Sequence, residues 1–176
     1  MLIDIPYRVT SDELMLGNHL IWYVENNPTG DIVTVRKIAK DVVECELEDG
    51  STKEIPIRNL YSIPLYDEIF LALGFDRMNY DEESLPDYYY FYGKDFKIDT
   101  SYYDGPLYEF RYDDNNFVGI ESVHQIQNIL KNVKCENNNL RCNITRLSEL
   151  TKHLYNEENY ISEWRKQREV ENKDFK

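Results

Sequence analysis

The sequence predicts an α+β fold: an N-terminal SH3-like small β-barrel, a linking helix, an antiparallel β-meander with a packed helix, and a C-terminal helical extension. Three observations predict it. Short β-rich runs with tight turns fill residues 19–57, and a second group of short strands fills residues 88–120. After residue 122, apolar residues recur at helical spacing. The predicted domains are residues 11–64, 65–134 and 135–176.

The N-terminal segment contains four predicted strands. His19–Val24 and Ile32–Ile38 are rich in β-formers, and Asn26–Gly30 between them has the composition of a loop. From residue 43 to residue 48, apolar and acidic residues alternate with a period of two, which indicates a strand with one solvated face. Asp49-Gly50 then predicts a hairpin turn, and a fourth strand returns from it.

The middle segment combines a short helix with a meander. Leu65–Gly74 has acids in its first turn and glycine after its last apolar residue, which is typical of a helix. Asp76–Asp87 is expected to be an acidic loop. Strands are predicted around residues 95–99, 108–112 and 117–120, with aromatic residues inward and charged residues outward. In a further strand at residues 88–92, aromatic residues occupy both faces, so some of their rings must face something other than this core.

Two segments with apolar residues at helical spacing follow. Ser122 begins a capping box, and the helix after it carries an apolar stripe at Val123, Ile126, Leu130 and Val133. Beyond an asparagine-rich loop, helical spacing predicts one long helix or a broken pair with Leu147, Leu150, Leu154, Ile161 and Trp164. Ile161 and Trp164 lie where the intramolecular core is expected to thin, so we predict that they serve oligomerisation or docking.

The charge distribution excludes some partners. The net charge is −13, and residues 1–140 hold 12 basic and 26 acidic side chains. Such a field repels nucleic acid and anionic membrane, so the predicted partner is a protein, in particular a basic one. No apolar run approaches a membrane span, and the start does not resemble a signal peptide. Three cysteines, an odd number, predict reduced thiols in a cytoplasm.

Nine of the fifteen tyrosines lie between Tyr80 and Tyr112, among many carboxylates. One interpretation is a contact surface anchored by exposed tyrosines. Its predicted residues are Tyr88, Tyr89, Tyr90, Tyr92, Tyr102, Tyr103 and His124. The alternative is that alternate tyrosines line the core of the meander. A third is that the carboxylates imitate a phosphate row, as in a nucleic-acid mimic.

Three segments resemble a family of small uncharacterised proteins from phages and mobile elements of Bacteroides-type bacteria. They are Leu16–Leu20, the run Ile63–Ile69 with Leu73-Gly74-Phe75, and Ser122–Ile129. Tyr66 and Met15 depart from the family pattern, at positions usually held by a capping hydroxyl residue and a basic residue. The resemblance covers about residues 11–134. It implies a biological setting and a fold pattern, and no activity.

No motif of a known catalytic or cofactor site occurs in the sequence, so we expect no enzyme, no cofactor and no metal. His124 is interpreted either as part of a recognition face or as a residue that caps its helix. Cys135 and Cys142 with His124 and His153 have neither the spacing of a zinc ribbon nor a setting that favours a disulfide. Free thiols are the expectation.

Together these observations predict a non-enzymatic phage or mobile-element protein that acts through protein–protein contact by an acidic, tyrosine-rich surface. Two alternatives remain open: a virion or assembly component, and an acidic nucleic-acid mimic that inhibits a host defence or DNA-handling protein. A homo-oligomer formed through the C-terminal helix is compatible with each of them.

Overall fold

The computed structural model describes residues 6–24, 27–79, 89–93, 96–100, 108–111, 117–132 and 142–155. These residues form two antiparallel five-stranded sheets and three α-helices, so the predicted α+β class is confirmed. By their contacts they divide into two units. The N-terminal unit comprises residues 6–63 and 148–155, and the central unit comprises residues 64–147.

The sheet of the N-terminal unit has the strand order β4-β3-β2-β1-β5. Its strands are β1 (His19–Val24), β2 (Asn27–Ile38), β3 (Val42–Glu46), β4 (Thr52–Pro56) and β5 (Leu60–Tyr61). Alternate residues of these strands point to one side, where they form a buried core. Its fully buried members include Leu20, Val33, Val35, Val43 and Leu60.

This sheet is strongly curved. β4 and β5 lie at its opposite edges, yet only a 3₁₀ turn, Ile57–Asn59, joins them. Five strands laid flat would separate the two edges by roughly 19 Å, whereas even a fully extended link of this length spans at most roughly 14 Å. The two edges must therefore approach each other. Among the described strands no ladder pairs β4 with β5, so the predicted barrel is not closed by hydrogen bonds.

A side-chain contact is independent evidence that this sheet is curved. The ammonium of Lys53, on β4, lies 4.3 Å from the centre of the Trp22 ring on β1. The order of the sheet separates these two strands by β3 and β2. In a flat sheet they would be roughly 14 Å apart, beyond the reach of one lysine.

The predicted Asn26–Gly30 loop is wrong in its extent, because β2 begins at Asn27. Val24 pairs with Asn27, so the connection is a tight hairpin. The register then shifts before the Trp22–Asp31 pair, and Gly30 has a φ of +64° at this irregularity. Glycine thus permits a bulge inside a segment whose composition resembles a loop.

The C-terminal helix α3, Ile144–Tyr155, begins in the central unit and contributes to the N-terminal unit from Ser148 onward. The backbone N–H of Arg146 donates to the side-chain oxygen of Asn143 over 2.9 Å, which caps the helix. In the N-terminal unit the Ser148 hydroxyl donates to the carboxylate of Glu48. The ammonium of Lys152 lies 3.6 Å from the same carboxylate.

The sheet of the central unit is an antiparallel meander with the order β10-β9-β8-β7-β6. Its strands are β6 (Asp76–Asn79), β7 (Tyr89–Gly93), β8 (Phe96–Thr100), β9 (Tyr108–Arg111) and β10 (Phe117–Ile120). The helices of this unit are α1 (Asp67–Ala72) and α2 (Val123–Asn132), both where the sequence predicts them.

One face of this sheet is its core face. Phe110 and Ile120 are fully buried, and Phe70 of α1 lies edge-on to the Tyr108 ring with 4.8 Å between the ring centres. Val123, Ile126 and Leu130 of α2 are buried as predicted, while Val133 lies outside the described residues.

One strand of the central sheet was not predicted. Residues 76–79 begin the segment expected to be an acidic loop, but they form β6. Asp76 pairs with Tyr92, and Asn79 pairs with Tyr89. Pairing with a neighbouring strand therefore outweighs the low β-propensity of Asp76 and Asn79.

Candidate functional site

Three tyrosines of this region, Tyr89, Tyr90 and Tyr92, lie in β7, which has neighbours on both sides. β6 pairs with one of its edges and β8 with the other. The backbone of Tyr89–Gly93 is therefore used within the sheet. Any contact that these tyrosines make with a partner must come from a face of the sheet and not from the strand edge.

The register shows which residues share a face, because directly opposite residues in an antiparallel sheet point to the same side. Tyr90 is opposite Asp99, which is opposite Glu109. The neighbouring row on this face runs from Tyr92 through Lys97 to Arg111. We call these six positions the mixed-charge face: Tyr90, Tyr92, Lys97, Asp99, Glu109 and Arg111.

The other face has a different composition. Phe91 is opposite Ile98, which is opposite the fully buried Phe110. Tyr108 belongs to this core face as well and packs against Phe70. The alternation therefore separates the tyrosines of β7. Tyr89 lies at a core-face position, whereas Tyr90 and Tyr92 lie among charged residues.

The mixed-charge face reaches the edge of the sheet. Glu109 is half-buried, and the next position in its row is the exposed Gly119. Asp76 of β6 is opposite Tyr92, so the described positions on this side of the sheet include three acids and two bases. Like charges are opposite across β8 and β9, and opposite charges alternate along each strand.

Several predicted contact residues cannot be placed. Tyr88, Tyr102 and Tyr103 lie outside the described residues, and so do Ile161 and Trp164 of the predicted docking helix. The hypotheses that rest on these five residues remain predictions.

His124 lies at the start of α2 and is fully buried. Its ring nitrogen Nδ1 is 3.1 Å from the hydroxyl of Ser122, which is also fully buried. The side-chain oxygen of Gln125 accepts a hydrogen bond from the backbone N–H of Glu121 over 2.7 Å. These contacts stabilise the beginning of the helix. The His124 ring is buried and is therefore not on the surface.

Of the described cysteines, Cys45 is fully buried and Cys142 is half-buried. Cys45 lies in the core of the N-terminal unit, where burial raises its pKa to about 12. Burial raises the pKa of Cys142 to about 11, and both thiols are free. Cys135 lies outside the described residues. Within the ranges that the structure describes, no group of three or more histidine, cysteine or acidic side chains is arranged to hold a metal.

A groove in the N-terminal unit was not predicted from the sequence. Its volume is about 540 Å³, and it lies beside the β2–β3 turn and the 3₁₀ turn Ile57–Asn59. The backbone N–H of Ile57 donates to the carbonyl of Asp41 over 3.1 Å and joins these two walls. The groove is lined by Ser11, Lys40, Asp41, Val42, Pro56, Ile57 and Arg58. These lining residues come from three separate segments of the chain, so no local sequence pattern predicts the groove.

No family model, curated protein or solved structure matches this chain. Among its described helices, none has the length and apolar character needed to cross a membrane.

Proposed function

We propose that this chain is a non-enzymatic protein that binds another protein through the mixed-charge face of its central sheet. The observation that carries the proposal is the strand register. It pairs Tyr90 with Asp99 and Tyr92 with Lys97, in rows that alternate with the row of the buried Phe110.

The chemistry of these residues suits protein recognition. Tyrosine offers a large apolar ring and a polar hydroxyl at a low cost in side-chain entropy, and it is enriched among residues that dominate binding energy. Charges of both signs around such rings favour one orientation of a partner and disfavour others. A net charge of −13 also attracts basic proteins over longer distances.

The buried nucleophiles support a binding role. His19 is 7 % exposed and its Nδ1 lies 3.0 Å from the Thr34 hydroxyl, and His124 is held by Ser122. Raised pKa values keep the thiols of Cys45 and Cys142 protonated near neutral pH. His19, His124 and Cys45 are buried, so their side chains are shielded from a substrate in solution, whereas Cys142 is half-buried.

The mixed signs on this face favour a protein partner over the nucleic-acid-mimic alternative. A mimic of a phosphate backbone requires a row of negative charges, whereas Lys97 and Arg111 occupy adjacent register positions here. The resemblance of three sequence segments to phage and mobile-element proteins supports a role in the cytoplasm of a bacterial host cell.

We also propose that the N-terminal unit is an SH3-like barrel. Four strands form a meander, a 3₁₀ turn follows the fourth, and the fifth strand pairs with the first. The short connection between β4 and β5 and the contact of Lys53 with Trp22 support the curvature that such a barrel needs.

The first test measures which tyrosines are accessible. The folded protein is treated with tetranitromethane, and nitrated peptides are quantified by mass spectrometry. We expect nitration at Tyr90 and Tyr92 and protection at Tyr61 and Tyr66, which are 2 % and 4 % exposed. Protection of Tyr90 and Tyr92 to the same degree would contradict the proposed surface.

The second test measures binding. The wild type, the Tyr90→Ser/Tyr92→Ser variant and a Tyr23→Ser control serve as baits in lysate of cells that carry the encoding phage or element. Tyr23 is a half-buried tyrosine of the N-terminal unit. We expect a partner that the wild type and the control retain and the double variant loses, with unchanged circular dichroism. A partner that the double variant retains equally would refute this face as the binding surface. Detection of the chain in purified particles would instead favour the virion alternative.

A further inference from the structure

Strand edges in the two sheets are protected in different ways. An exposed edge offers unpaired backbone groups to other chains, so proteins usually guard it with charged residues, proline or very short strands. β6 carries Asp76 and Arg77, and β4 carries Lys53 and Glu54 and ends at Pro56. β5 has only two residues, and a bridge from Arg8 to Tyr61 covers part of it.

β10 has none of these protections. Its sequence is Phe117-Val118-Gly119-Ile120, without charge or proline, and among the described strands it has a neighbour on one side only. Val118 is 47 % exposed and Gly119 is exposed as well, although the adjacent Phe110 on β9 is fully buried. Among the described residues this edge is therefore unpaired and apolar, whereas the other three edges each have one of these protections.

We propose that β10 pairs antiparallel with β10 of a second copy of this chain, about a two-fold axis normal to the sheet. Such an axis places the core faces of the two copies on the same side of the joined sheet. Two residues that lie opposite each other must then both have even numbers or both have odd numbers. The two registers centred on this strand put Val118 opposite either Val118 or Ile120 of the second copy. Both bring the exposed valine against a β-branched apolar residue, which is a favourable cross-strand pair.

β10 carries no charged residue, which is compatible with a self-contact at this edge. Two copies with a net charge of −13 repel each other, and an uncharged strand adds no local repulsion to that field. The pairing would make one continuous sheet of ten strands, which is within the usual size of an open sheet. It would also join two mixed-charge faces side by side and give a partner with two sites a gain in avidity.

The test measures mass in solution by light scattering and sedimentation equilibrium for the wild type, Val118→Lys and Leu71→Lys. Leu71 is a matched control because it is 48 % exposed, apolar and in the same unit. We expect the wild type and the control to have twice the monomer mass of 21.1 kDa, and Val118→Lys to have the monomer mass. Because salt screens the repulsion between copies, dimer formation should increase with ionic strength.

Cysteine cross-linking tests the register. Opposite residues in an antiparallel pair have a separation that a disulfide can bridge. Under mild oxidation, Val118→Cys should cross-link in one register and Gly119→Cys in the other, with the Leu71→Cys control staying monomeric. A wild type that stays monomeric at about 100 µM in low and high salt would overturn the proposal. So would association of Val118→Lys equal to that of the wild type, or cross-linking of neither cysteine variant above the control.

Discussion

Gly30 provides the sharpest test of packing in the N-terminal unit. It has a φ of +64°, and a Cβ built on it would lie 2.4 Å from Cγ2 of Ile21 and 3.3 Å from the carbonyl oxygen of Trp22. Ile21 is 1 % exposed, so its side chain has little room to move. Gly30→Ala therefore adds two costs: the left-handed backbone conformation, roughly 1–2 kcal/mol, and overpacking, roughly 1–3 kcal/mol. We expect unfolding free energy to fall by about 2–5 kcal/mol.

Gly50→Ala is the matched control. Gly50 has a φ of +81°, and nothing lies within 4 Å of a Cβ built on it. Its substitution should therefore cost only the backbone part, roughly 1–2 kcal/mol. The assay is denaturant unfolding followed by Trp22 fluorescence, in a Trp164→Phe background that leaves Trp22 as the single tryptophan.

An Ile21→Ala background tests the mechanism. Removing Cγ2 removes the nearest atom that the new methyl group would meet, so the cost of Gly30→Ala should be clearly smaller in this background than in the wild type. The Trp22 carbonyl oxygen remains 3.3 Å from the new Cβ, so the cost should stay above that of Gly50→Ala. If Gly30→Ala costs no more than Gly50→Ala in the wild-type background, the steric argument is refuted.

Two further predictions concern the same unit. Lys53→Met should lower the unfolding free energy by roughly 0.5–1 kcal/mol through loss of the contact with Trp22, whereas Lys37→Met, also at an exposed position, should change it by less than about 0.5 kcal/mol. Equal effects in denaturant unfolding would contradict that contact. Burial raises the pKa of Cys45 to about 12. The neutral thiol therefore makes its full contribution to the unfolding free energy below the pKa of the unfolded thiol, and that contribution decreases as pH rises above this value. Between pH 8 and pH 10 the wild type should lose about 2 kcal/mol more than Cys45→Ala, and identical pH profiles would disprove this.

The features that the sequence predicts are the local ones. The sequence predicts the β3–β4 hairpin because both of its signals are local. Val43 and Cys45 alternate with acidic residues, and the Asp49-Gly50 turn follows within ten residues of Val43. The turn forms as expected: the hydroxyl and N–H of Ser51 donate to the Asp49 carboxylate over 2.6 Å and 2.9 Å. α1 and α2 are predicted for the same reason, since their caps and stripes are encoded within one helix.

The features that it does not predict depend on distant partners. β6 exists because residues 76–79 pair with β7, and no property of those four residues alone indicates a strand. The sequence locates the tyrosines, but only the register separates Tyr90 and Tyr92 from Tyr89. His124 has a similar ambiguity, because a residue that holds a helix start and one that contacts a partner have the same sequence pattern. Burial of its ring distinguishes between them.

The order in which the N-terminal unit can be completed during synthesis follows from its discontinuous chain. Its first segment ends at Ile63, and its last described segment begins at Ser148. At a synthesis rate of roughly 5–20 residues per second, the ribosome needs roughly 4–17 s to add the residues between them. During that interval Glu48 has neither Ser148 nor Lys152 to contact, and its carboxylate is available to water or to other proteins. During synthesis the part of the nascent sheet around Glu48 therefore remains in contact with solvent until α3 has been added.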